Sequence, residues 1–165
     1  MCKLHWNEDN INKYLAFYVV PLILTIMYFI PFFNFSGVDL YSSLTGVYIL
    51  YITITTIILS IIFVVISVAP TFIQNERNGP FKPIIGNYPI NSIYLIYVNL
   101  RVLQYCVMGI IFSLMGYIFT TVHFLPDVLL KGLFLVNTFF VIAAIMGLAL
   151  LTGRLIKNLG PQLIQ

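Results

Sequence analysis

Charge is what this sequence has least of. Five acidic and eight basic side chains make up 8 % of 165 residues, where a soluble domain carries about 25 %. Apolar residues reach 61 % and the mean hydropathy is +1.01. No soluble domain of this length has interior enough to hide so much apolar surface, so lipid is the expected solvent for most of the chain. The acids are Glu8, Asp9, Asp39, Glu76 and Asp127, none of them central in an apolar run. A proton-coupled carrier needs an ionisable group within the membrane, and that class is disfavoured.

Cysteine is almost as scarce. Cys2 and Cys106 are far apart in sequence, one terminal and one inside an apolar run, which argues against an intramolecular disulfide and against a Cys/His metal site. There is no GxxxxGK[ST] phosphate loop, no TVGYG-like filter, and no basic cluster interleaved with aromatics. P-loop nucleotide binding, potassium-type selectivity and nucleic-acid binding are thereby disfavoured. His5 and His123 are expected on opposite sides of a membrane, and no catalytic constellation emerges. The chain is expected not to be an enzyme and to bind no cofactor directly. A cleaved leader is not expected, because Glu8 and Asp9 interrupt it and the apolar run that follows is too long.

Long hydrophobic runs are what the chain has in abundance. Four are expected to be transmembrane helices, at about 14–33, 44–72, 93–122 and 128–151, since about 20 helical residues cross a hydrocarbon core of about 30 Å. The expected fold is all-α, a single polytopic transmembrane domain over residues 1–165. Pro21 and Pro31 should kink the first span, a short loop should follow from Asn34 to Ser43, and the second span should tilt or project past the headgroups. Thr53, Thr56, Ser60 and Ser67 share a helical face, which suits either packing against another helix or bonding to their own helix carbonyls. Gly109, Ser113 and Gly116, with the pair Ala143 and Gly147, are candidate helix-packing or subunit-interface positions. Ala149 and Gly153 make a further small pair. Arg101 and Gln104 lie one turn apart and either snorkel to the interface or, with Asn137, line a polar path. Asn137 itself should seek a partner on another helix.

If the N-terminus is cytoplasmic, Lys3, Lys13, Arg77, Lys82, Arg101, Arg154 and Lys157 all fall on the inner side and only Lys131 falls outside. That bias predicts N-in, C-in, with residues 73–92 in the cytoplasm, for a multi-pass protein of the plasma membrane.

The predicted cytoplasmic segment is the most polar internal interval. It runs Glu76-Arg77-Asn78-Gly79, then Phe81, Ile84 and Ile85, then Tyr88-Pro89-Ile90. Read physically, it is a short element held between two helices, able to pass motion of a docked partner into the membrane or merely to turn the chain. The pattern resembles the signature between the second and third helices of ABC-2 type transporter permeases. The resemblance implies a coupling helix that docks on a separate ATP-binding subunit, with Glu76, Arg77, Gly79, Phe81, Ile84, Ile85 and Pro89 as the coupling segment. It also implies ATP-driven export of a peptide, lipid or drug-like substrate, with ATP used only through the partner. The chain departs from that pattern: Glu-Arg to Gly is one residue short, Pro80 stands where Thr is common, and four spans replace six. Pairing with itself or with a second membrane subunit is therefore expected. Two other readings stand beside it: a non-transporting interaction protein of immunity or accessory type, and a pore-forming helix bundle.

Overall fold

The computed structural model describes residues 15–78 and 90–163, with side chains from 15 to 67, Ala16 and Phe32 apart, and from 98 to 153. Every element among them is helical. A first segment changes helix type twice: a π turn at Leu15–Val19, then α1 at Val20–Phe29, then a 3-10 turn at Ile30–Asn34. α2 spans Gly37–Asn78, α3 spans Ile90–Val122, and α4 spans Asp127–Leu163. The stretches Gly37–Ser67, Val98–Val122 and Asp127–Gly153 are each long and apolar enough to cross a membrane. The chain is a helical membrane protein.

Proline explains the broken first helix. Pro21 has no N–H to offer the carbonyl of Phe17, and the backbone there widens to the i→i+5 pattern. Pro31 withholds the donor for Met27, and the helix tightens into the 3-10 turn. The two expected kinks are thus realised as changes of helical pitch.

The boundaries differ from those drawn on apolarity. The expected loop 34–43 shrinks to Phe35 and Ser36, because Gly37, at φ +59°, starts α2 seven residues earlier than Leu44. Asp39 therefore lies in the first turn of α2, where its charge complements the helix dipole. At their other ends α2 and α4 run on to Asn78 and Leu163 rather than stopping near 72 and 151. Apolarity marks where lipid begins and ends, whereas backbone hydrogen bonding continues into the polar turns beyond.

The register follows from a few contacts. Val102 packs at Gly147, Gly109 at Val141, and Ser113 bonds Asn137, so α3 and α4 are antiparallel. Gly37 bonds Asp127 and Tyr51 bonds Thr138, so α2 runs parallel to α4. Phe17 packs at Gly147 and the Phe33 carbonyl meets Lys131, so the first segment runs antiparallel to α4 over the same depth. The interior forms two apolar clusters. One holds Phe17, Ile58, Ile62, Val102, Cys106 and Leu151; the other holds Leu40, Leu44, Tyr48, Leu130, Phe134 and Val141. Leu22, Ile26, Leu50, Ile57 and Ile118 point outward, the inverse of a soluble surface and the arrangement lipid requires.

Candidate functional site

A polar layer crosses the middle of the bundle. The side-chain amide of Asn137 donates to Ser113 Oγ at 2.8 Å, and both residues are fully buried. This supplies the partner on another helix that an amide at mid-membrane demands. One residue along α4, Thr138 Oγ1 shares a hydrogen bond of 3.1 Å with the Tyr51 hydroxyl and donates back to the Phe134 carbonyl. Phe134 lies stacked on Tyr51 and edge-on to Tyr48. Two buried oxygens remain without a protein partner in this region, Tyr48 Oη and Asn137 Oδ1.

The small residues make this closeness possible. The space a Cβ would need at Gly116 is filled by the Tyr48 ring. A Cβ at Gly109 would stand 3.1 Å from Thr55 Cγ2, and one at Gly147 would strike Val102 and Phe17. Ala143 is fully buried beside them. Gly109, Ser113, Gly116, Ala143 and Gly147 therefore face other helices of the same chain, and those faces are already occupied. Ala149 and Gly153 point outward instead. Tyr48, Tyr51 and Thr138 were not legible as members of the layer. A tyrosine among Ile and Leu reads as one more apolar residue, and only the facing glycine reveals where its ring goes.

The hydroxyl stripe of α2 takes the self-bonded option. Thr53, Thr56, Ser60 and Ser67 all face outward, each donating to a carbonyl three or four residues back at 2.7–3.0 Å. Among the described residues they belong to neither of the buried clusters that join the helices. With Ser42, Gly46, Ile49 and Phe63 they fall at alternating steps of four and three, a seam of heptad spacing along the outside of the bundle.

Arg101 and Gln104 do not join Asn137. Gln104 is exposed and Arg101 partly so, with Arg101 Nη1 at 3.4 Å from Gln104 Oε1. They stand about three turns along α3 from Ser113. Of the predicted coupling segment, Glu76 and Arg77 occupy the last turn of α2. Gly79, Phe81, Ile84, Ile85 and Pro89 lie outside the described residues.

The end of the bundle near residues 35–36 and 123–126 is tied by polar contacts. The N–H of Gly37 donates to Asp127 Oδ2 at 3.0 Å, joining the starts of α2 and α4. The Tyr41 hydroxyl donates to the Leu125 carbonyl at 2.6 Å, and its ring meets His123 edge-on at 4.4 Å. Lys131 donates to the Phe33 carbonyl at 2.8 Å, with its ammonium 5.6 Å from the Phe33 ring centroid.

The register also sets a charge-free slab. The Val102–Gly147 and Ser113–Asn137 contacts place Arg101 level with about residue 148 of α4. That level lies about 17 residues, or about 26 Å, from Lys131. No Asp, Glu, Lys or Arg stands between those two levels on any of the four helices. The slab is close in thickness to a hydrocarbon core of about 30 Å. No family model, curated protein or solved structure matches this chain.

Proposed function

We propose that the chain is a membrane subunit of an ATP-driven exporter of the ABC-2 permease kind, working with a separate ATP-hydrolysing subunit. In this reading the first segment, α2, α3 and α4 cross the plasma membrane four times. Both termini and residues 73–92 then lie in the cytoplasm. The substrate is a peptide, lipid or drug-like molecule, and the ATPase docks on the segment that begins at Glu76.

The observation that carries this reading is the length of α2. Its 42 residues run about 63 Å without a break, roughly twice a hydrocarbon core. The charge-free slab accounts for the part nearer Gly37. The remainder continues beyond the level of Arg101 as unbroken helix and ends with Glu76 and Arg77 in its last turn. A helix that runs on well past the headgroup layer and is rooted among α3 and α4 gives a docked partner leverage on the bundle. The excess of Lys and Arg toward that end agrees with its being cytoplasmic.

The test is a detergent pull-down of the tagged chain expressed with its genomic neighbours. An ABC-type ATPase should co-elute and be lost in Glu76→Ala plus Arg77→Ala. An eluate without any ATPase would sink the reading.

The outward seam on α2 favours a second feature, pairing of the bundle with another copy or with a second membrane helix. Small and hydroxyl residues let helices approach closely in lipid, and this face is not used inside the chain. The non-transporting interaction protein loses the faces it would have used, since Gly116, Ala143 and Gly147 are occupied internally. Differently tagged copies should co-elute; Gly46→Leu plus Ser60→Leu should separate them.

A further inference from the structure

The exposed surface at the connector end is oily where a water-facing end would be polar. Phe33 is 69 % exposed, Val38 79 %, Phe124 73 % and Val128 79 %. They stand among a few polar groups, Asp39, His123, Asp127 and Lys131, and run without interruption into the lipid-facing flanks at Ile30, Val122 and Leu129.

The charge-free slab says at what depth these residues sit. Arg101 and Lys131 bracket it on two antiparallel helices, so it cannot slide far along the bundle without dragging one of them into hydrocarbon, at a cost of several kcal/mol. With a core of about 30 Å centred between them, the boundary near the connectors falls close to residue 42 on α2, 120 on α3 and 130 on α4. Val38, Phe124 and Val128 are then only about one turn beyond it. The headgroup layer adds about 5–8 Å on each side, which is the depth one helical turn covers.

We infer that the connector end is immersed in the phospholipid headgroup layer and does not reach water, with Phe33, Val38, Phe124 and Val128 as its lipid-contacting surface. Tyr41, with its amphipathic ring, and Lys131, whose long stem lets its ammonium snorkel, stand at the same level and suit that layer. The ties among Gly37, Asp127, Tyr41, Leu125, Lys131 and Phe33 fit the same setting. They give several backbone groups of the connectors internal partners in a place where water is scarce. The inference rests on the bundle spanning a bilayer, the part of the proposed function it shares; it does not depend on an ATPase.

The experiment uses the full chain with Trp6→Phe, reconstituted in phosphatidylcholine vesicles, with one tryptophan introduced at a time. The variants are Phe124→Trp and Phe33→Trp at the connector end and Leu50→Trp near mid-depth. Nitroxide carried on the lipid headgroup or deep on the acyl chain, and iodide in the buffer, serve as quenchers. Leu50→Trp should be quenched most by the deep label. Phe124→Trp and Phe33→Trp should be quenched about twofold more by the headgroup label than by the deep one, and little by iodide. Strong iodide quenching with lipid labels silent would place the end in water and overturn the inference, as would strongest quenching by the deep label. If Leu50→Trp ignored the deep label, the spanning frame itself would fall, an outcome separable from failure at the connector end alone.

Discussion

Toward the connectors and across the middle the long helices are joined by directional bonds: Gly37 to Asp127, Tyr41 to Leu125, Tyr51 to Thr138 and Asn137 to Ser113. Toward the other end the same helices meet through surfaces of small and apolar residues, Ala143, Ala144 and Gly147 against Phe17, Val102 and Ile62. Lipid removes most of the hydrophobic reward for helix association, so packing and hydrogen bonds carry the weight. A hydrogen bond fixes the rotation and register of two helices. Contact between a glycine and a valine fixes only how near they come. The bonds toward the connectors and the middle therefore fix the alignment of the bundle, and toward the other end close packing at Gly147, Ala143 and Ala144 brings the described helices together.

The sharpest way to break the contrast is to spoil the fit. Gly147→Leu would drive a side chain into both Val102 and Phe17, forcing apart α3, α4 and the first segment at once. Loss of the folded bundle is expected, seen as aggregation on heating in detergent well below the parent. Gly147→Ala should cost about 1–3 kcal/mol by overpacking. Gly132→Ala, where a Cβ meets open space, should be neutral or gain up to about 1 kcal/mol of helix propensity. Equal effects at both glycines would mean that fit does not govern this half.

The polar layer comes next in size. Asn137→Ala leaves Ser113 without its donor in a buried place and should lower stability by about 1–3 kcal/mol. Tyr48→Phe removes a hydroxyl that has no partner and should cost nothing or stabilise slightly. Opposite signs for these two changes, measured by unfolding in mixed micelles, would support the assignment. A loss of similar size at Tyr48 would mean its hydroxyl is engaged.

At the connectors the expected loss is smaller, because the Gly37–Asp127 bond lies at the surface of the bundle, where polar headgroup atoms can replace a lost partner. Asp127→Ala takes away the acceptor for the Gly37 N–H and should cost about 0.5–1.5 kcal/mol. Unfolding midpoints in detergent would read it. A cost above that of Asn137→Ala would make the connector ties, not the central layer, the main clamp.

Much of this architecture was legible in the sequence, for a physical reason. Lipid tolerates so few charges that apolar runs mark the helices directly, and the end of α3 at Val122 fell where hydropathy put it. Asn137 announced its need of a partner, because an amide in hydrocarbon must bond. What stayed hidden was of two kinds. The ends of α2 and α4 lie past the apolar pattern, where helix continues without any hydropathy signal. The use of a face was the other: the glycines of α3 and the hydroxyls of α2 obey the same small-residue spacing, yet one stripe is filled by Tyr48 and Thr55 while the other looks outward. Spacing names a face without naming its neighbour. Only the register, fixed by contacts such as Val102 with Gly147, separates the two.

That outward stripe gives the smallest effect and the finest discrimination between fit and direction. Thr53, Thr56 and Ser60 face outward and donate to their own helix. Replacing them by Val, Val and Ala removes hydroxyls whose bonds are local, while the carbonyls they served keep their ordinary backbone donors. A change within about 0.5 kcal/mol is expected for each in the isolated bundle. If copies associate through this seam, the triple variant should leave the unfolding midpoint unchanged at high detergent-to-protein ratio. It should lower that midpoint only when protein is concentrated enough to pair, because the lost closeness then belongs to the assembly. A drop of more than about 1 kcal/mol at high detergent would show that these hydroxyls hold α2 itself straight, and the seam would be a structural feature of one helix.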